Sequence, residues 1–164
     1  MSENRITSLE SARRRRDMAP LHVFLREHSA RNRVAALSGV ALPVCFARVR
    51  AADLQGAQNQ SAGLRAAAGP QGCTVFVDIE VLVDIDARTA LRAADQLGPN
   101  SSDDGQTLRY VGTPRGLAGY IADLHTLGIA DGVTLLPLRA ADNAERIVKN
   151  VLPILGLDVG RLWA

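Results

Sequence analysis

Between Cys73 and Asp86 the chain alternates for fourteen residues with hardly a break. Val75, Val77, Ile79, Val81, Val83 and Ile85 fall on one side; Thr74, Phe76, Asp78, Glu80, Leu82 and Asp84 fall on the other. Period two with β-branched residues is the pattern of a strand. The segments around it have a different period. Ala51 to Ala68 is alanine-rich, with Leu54, Ala57 and Leu64 among its apolar positions, and Ala87 to Leu97 follows Asp86, a possible cap. Both read as helices. A strand of this kind held between helices argues for parallel pairing through right-handed crossovers.

A second unit, Thr107 to Leu138, carries its own start and stop signals. Thr113 can cap a helix, and Pro114 occupies the first helical position, where its missing N–H costs nothing. Leu117, Ile121, Leu124 and Leu127 recur at three- and four-residue spacing, giving one apolar face. Gly128 is placed to end the helix, and Val133 to Leu138 reads as a strand buried on both faces. Leu21–Leu25 and Pro43–Val49 read as further strands. Ser29 to about Ser38 reads as a helix ended by Gly39, and Asp142 to about Leu155 as the last helix, kinked or ended at Pro153. The expected fold is α/β, four parallel strands alternating with helices. That is about half the content of a (β/α)8 barrel, which needs roughly 250 residues.

With 164 residues the chain has room for one domain. Met1 to Pro20 is polar, contains the run Arg13–Arg16, and is expected to be a solvated, partly disordered segment; residues 21–164 form the domain. Hydrophobic residues make up 47% and exclude a disordered chain. A net charge of +2 gives no reason to expect a nucleic-acid partner. No apolar run approaches a membrane span and no signal peptide is evident, so a cytoplasmic location is expected. Cys45 and Cys73 lie in apolar runs and are expected to be buried, reduced thiols rather than a disulfide. Neither belongs to a C-x-x-C pair, and His22, His28 and His125 lack metal-ligand spacing, so no metal is expected.

Tyr110-Val-Gly-Thr-Pro114, Leu117-Ala118, Leu124-His125 and Gly128-Ile-Ala-Asp-Gly132 together resemble the bacterial luciferase-like, flavin-dependent monooxygenases. Two further stretches are similar to that family: Val148–Leu155, with its Val-x-Pro-x-Leu pattern, and Leu21–Leu25 followed by His28-Ser29-Ala30-Arg31-Asn32-Arg33. The resemblance covers Leu21 to Leu155 and implies the C-terminal half of a flavin-binding barrel. It implies FMN as cofactor and an oxidoreductase of the monooxygenase type. It also implies a phosphate site at His28, Ser29, Arg31 and Arg33, with Thr113 as a secondary cofactor contact. His28 stands where the family has a first serine, and Asn32 where it has glycine. Ser29 with the two arginines reads equally as a helix cap beside solvated side chains.

In that family the first half of the barrel supplies most of the catalytic residues, so no catalytic residue is assigned. Activity would require self-association into a homo-oligomer or a partner chain carrying the other half. The alternative is a non-catalytic half-barrel relic or subunit that associates with a partner. A small flavodoxin-like domain is a third reading, weakened by the lack of a Gly-rich phosphate loop. Asp78 and Glu80 would face a barrel interior and serve as a base or ligand anchor, or else meet water or an oligomer partner. The second is the expectation here, because a half-barrel is open.

Overall fold

The structure is a computed structural model and describes residues 20–26, 34–36, 43–97, 105–139 and 141–157. In chain order the elements are β1 (His22–Arg26), β2 (Val34–Ala36), β3 (Phe46–Val49), α1 (Leu54–Ala68), β4 (Thr74–Val83), α2 (Ala87–Leu97), β5 (Leu108–Gly112), α3 (Pro114–Thr126), β6 (Gly132–Pro137) and α4 (Ala141–Asn150). The α/β class with parallel strands alternating with helices is therefore as expected.

β4 is the axis of the sheet. One edge pairs with β6 over Phe76–Val81. The other edge is shared: β3 covers Thr74–Val77 and β5 takes over at Ile79–Val83. β6 pairs in turn with β1, and β1 with β2. All of these pairings are parallel except β1 with β2. The connection from β3 to β4 thus runs one way across the sheet, from β4 to β5 it runs back, and from β5 to β6 it runs forward again. Right-handed crossovers then require the middle helix to lie on the opposite face from the other two.

That is what the packing gives. Val75, Val77, Ile79, Val81 and Val83 join Ala57 of α1, Leu117, Ile121 and Leu124 of α3 and Ile147 of α4 in one core. Leu82, on the alternate face, packs against Ala90 and Ala93 of α2. At the other end of that face, Phe76 meets Phe24, Phe46 and His22 with ring centroids 5.0, 5.5 and 5.6 Å away. A barrel keeps its helices on its outer surface; here α2 covers the face that would be the interior.

Several local expectations are corrected. Within the stretch read as a helix from Ser29, Val34–Ala36 is a strand antiparallel to β1. Pairing with an otherwise open sheet edge overrides the weak helical pattern there. Leu108–Gly112 is a strand where only a lead-in to a helix was expected, so among the described residues five strands run parallel and a sixth is antiparallel. The last helix stops at Asn150, and residues 151–156 continue as turns around Pro153. Cys45 is exposed and Cys73 only half-buried, because each stands one residue before its strand, at the sheet's rim.

The face carrying Asp78 and Glu80 does not meet water. Their side chains are 0% and 5% exposed. Arg48 donates to both oxygens of Asp78 from Nη2, at 2.9 and 2.7 Å, and from Nε at 3.1 Å, while Arg50 Nε donates at 2.9 Å. Arg109 Nε donates to Glu80 at 3.0 Å. The carboxylates are dry and the arginines, on β3, β5 and the end of β3, lie at their rim. These ion pairs join the strands that share one edge of β4.

Candidate functional site

Strands of a parallel sheet end at backbone groups without ladder partners, and ligands gather at their carboxyl ends where successive connections leave for opposite faces. β4 and β5 meet this condition. After Val83 the chain turns to α2 on one face, and after Gly112, its register partner, it turns to α3 on the other. A cleft of about 500 Å³ opens there, lined by Asp84, Ile85, Thr113, Arg115, Arg146 and Ile154, among others.

Each wall of the cleft is fixed locally. Thr113 is extended at φ −90° and ψ 157°, and its Oγ1 accepts from Gly116 N at 3.2 Å, which caps α3. Its carbonyl accepts from the Tyr110 hydroxyl at 3.1 Å, so the ring of Tyr110 braces the turn from below. Asp84 sits one residue past β4. Its backbone N donates to Gly112 O at 3.0 Å, which ties the two strand ends together. Its carboxylate accepts from Ile85 N at 2.7 Å and pairs with Arg146 of α4. Asn143, buried at the start of α4, completes the frame: its Oδ1 accepts from Val83 N at 3.2 Å and its Nδ2 donates to Val83 O at 3.1 Å.

The Ile85 N–H, followed by the Arg146 guanidinium, holds the Asp84 carboxyl below its ordinary range against the opposing effect of burial. A carboxyl with a folded pKa below its unfolded one stabilises the fold above the unfolded value and loses that contribution as pH falls through the folded one. The next carboxyl, Asp86, caps α2 through the N–H and hydroxyl of Thr89 and is lowered in the same sense. Asp84→Asn is therefore expected to lose less stability than the wild type as pH is taken below about 4. Urea unfolding at a series of pH values measures this. Parallel curves for the two proteins would show that Asp84 carries no such linkage.

Chemically, the cleft offers cationic Arg115 and Arg146, the N-terminus of a thirteen-residue helix, and two apolar side chains held in solvent, Ile85 at 80% and Ile154 at 55% exposure. Helix dipole and guanidinium favour an anionic group; the isoleucines favour a flat apolar one. Among the described residues no group of three His, Cys, Asp or Glu side chains is arranged to hold a metal.

Of the residues read from sequence as a cofactor site, Thr113 lines this cleft. His28, Ser29, Arg31 and Arg33 lie outside the described residues. His125 lies in the last turn of α3 with Nδ1 3.4 Å from Ala130 O, away from the cleft. Asp84 and Arg146 were not singled out in the sequence. Asp84 belongs to the alternation that marks β4; nothing local marks Arg146.

No protein-family model matches the chain, and no curated protein matches it in sequence. Solved structures do match in fold. EDTA monooxygenase (EmoA) from Chelativorans sp. BNC1 superposes with a TM-score of 0.56 at 16% identity over 68% of this chain. Long-chain alkane monooxygenase (LadA) superposes with a TM-score of 0.55, also at 16% identity over 68% of this chain. Both are luciferase-like monooxygenases, and the fold resemblance read in the sequence agrees with them. The chain spans 39% of the first and 36% of the second. Among the described residues no helix is long and apolar enough to cross a membrane.

Proposed function

We propose that this chain is a luciferase-like, FMN-dependent monooxygenase chain that works together with a second copy of itself or a separate partner chain. The observation that carries the reading is the cleft at the carboxyl ends of β4 and β5, in a fold shared with two monooxygenases. Its chemistry fits the cofactor at both ends. Arg115 and the α3 N-terminus would hold the phosphate, and Ile85 and Ile154 would lie against the flavin ring. Bound reduced flavin would supply the activation of oxygen; this chain's residues would bind and orient it.

FMN titration of the purified chain, followed by flavin fluorescence, tests the proposal. The expected result is a dissociation constant in the tens of micromolar or tighter, as for about the weaker metabolite sites, and weaker binding by Arg115→Glu. Absence of binding by oxidised and reduced FMN in that range would overturn it. A second reading, a non-catalytic subunit, draws on the exposed Val44 just before β3 and Phe46 at its start, at 107% and 46%, and on the short span of the larger enzymes. It is favoured if flavin fails to bind while light scattering shows a stable oligomer.

A further inference from the structure

At the opposite end of the sheet, where the strands begin, lies a second cavity of about 1000 Å³. Cys45 and Cys73 both line it, with His22, Arg65 and Asp131. β3 and β4 are in parallel register with Phe46 beside Thr74 and Ala47 beside Val75. Cys45 and Cys73 are the residues immediately before these, and Thr74 N donates to Cys45 O at 3.3 Å, so the register continues to them. Neighbouring strands lie about 4.8 Å apart. That separation falls inside the roughly 4.4–6.8 Å between Cα atoms that a disulfide spans.

We propose that Cys45 and Cys73 are a redox-active dithiol, which a small-molecule disulfide oxidises to a disulfide bridging the starts of β3 and β4. Both thiols are free in the structure. They differ in access: Cys45 is exposed on the cavity wall, whereas Cys73 is half-buried and its Sγ lies 3.7 Å from Thr74 O. Burial, and then the neighbouring Cys45 thiol, push the Cys73 thiol up; Asp131 adds to this and Arg65 opposes it. The raised Cys73 thiol is the poorer first nucleophile, and access assigns the first attack to Cys45.

The chemistry balances with the external disulfide alone. The Cys45 thiolate attacks one of its sulfurs, forming a mixed disulfide and releasing one thiol. The Cys73 thiolate then attacks Cys45 Sγ and releases the second. Two protons and two electrons pass from the pair to the oxidant, which leaves as two thiols. The cavity beside the pair gives the oxidant's substituents room. The product would fasten β3, a four-residue strand whose described ladder partner is β4, to the centre of the sheet. A dithiol at the strand starts lies at the other end of the sheet from the cleft, so its test stands or falls independently of the FMN titration.

Equilibration of the full chain with oxidised glutathione, followed by intact mass and thiol titration, decides the matter. The expected product is two hydrogens lighter than the reduced protein, has lost both thiols together, carries no glutathione, and yields a Cys45–Cys73 linked peptide on non-reducing digestion. Cys73→Ser is expected to stop at one glutathione on Cys45, and Cys45→Ser to react at least about tenfold more slowly than wild type. A wild-type product that retains glutathione, forms a covalent dimer, or keeps both thiols titratable would overturn the proposal, and needs no variant to fold.

Discussion

Replacing Arg48 and Arg50 together by methionine should lower the unfolding free energy by about 3–5 kcal/mol. The Asp78 side chain is 0% exposed, and four hydrogen bonds from these two guanidinium groups stand in for the water it has lost. Taking them away leaves a buried carboxylate without those donors, and the desolvation of that charge is then uncompensated. The arginines themselves are 40% exposed, so their own loss from the surface costs little. For a small domain with a urea m-value near 2 kcal/mol per molar, the midpoint should fall by roughly 2 M.

Removing the charge together with its partners supplies the control. Arg48→Met and Arg50→Met combined with Asp78→Leu removes the buried charge along with its partners, and should recover most of the loss, since an apolar replacement of a buried ion pair is often neutral or better. If the double variant instead loses less than about 1 kcal/mol, water reaches Asp78 and the network behaves as a surface ion pair.

These pairs also show where the sequence was legible and where it was not. The alternation of Val75 to Val83 specified a strand, and its hydrophobic side did become the shared core. Thr113, Pro114 and Gly128 placed both ends of α3 because capping is local: Gly128 has φ 69°, and Ile129 N reaches back to Leu124 O at 3.0 Å. Asp78 was misread because its partners lie 28 and 30 residues away. Whether a carboxylate on a strand faces water depends on what the next strand presents, and that depends on register. The Arg48-Val49-Arg50 alternation was the available signal, with both arginines flanking a buried valine.

β2 and β5 escaped for a related reason. Val34–Ala36 is too short, and Leu108–Gly112 too mixed, to stand out from their surroundings, and each is a strand because of the neighbour it pairs with. The cleft was half legible. Thr113 announces itself by its cap, but Arg146 joins Asp84 only because α4 packs on the same face of the sheet as α1 and α3. No local pattern encodes that placement.

Gly132→Ala should be the most damaging single-methyl addition in the sheet. Gly132 stands in β6 between two partners, with His22 of β1 on one side and Phe76 of β4 on the other. A Cβ there would lie 2.5 Å from His22 O, 2.7 Å from His22 Cβ and 2.7 Å from Phe76 Cδ1. The first of these is backbone held in a ladder, and Phe76 is packed among three other rings. Neither can withdraw without parting strands, so the cost belongs at or above the upper end of about 1–3 kcal/mol for overpacking. Gly116→Ala makes a sharper test of this reasoning. Its Cβ would come nearer still, 2.1 Å from the Tyr110 hydroxyl, but that is the far end of a side chain that can swing away. Swinging gives up the hydrogen bond to Thr113 O, about 1 kcal/mol, and the gain in helix propensity is about as large. Thermal unfolding should therefore show Gly132→Ala far below wild type and Gly116→Ala close to it, with amides of β1 exchanging faster in the first alone. The opposite ranking would mean that the closeness of the contact, and not the rigidity of what is contacted, sets the cost.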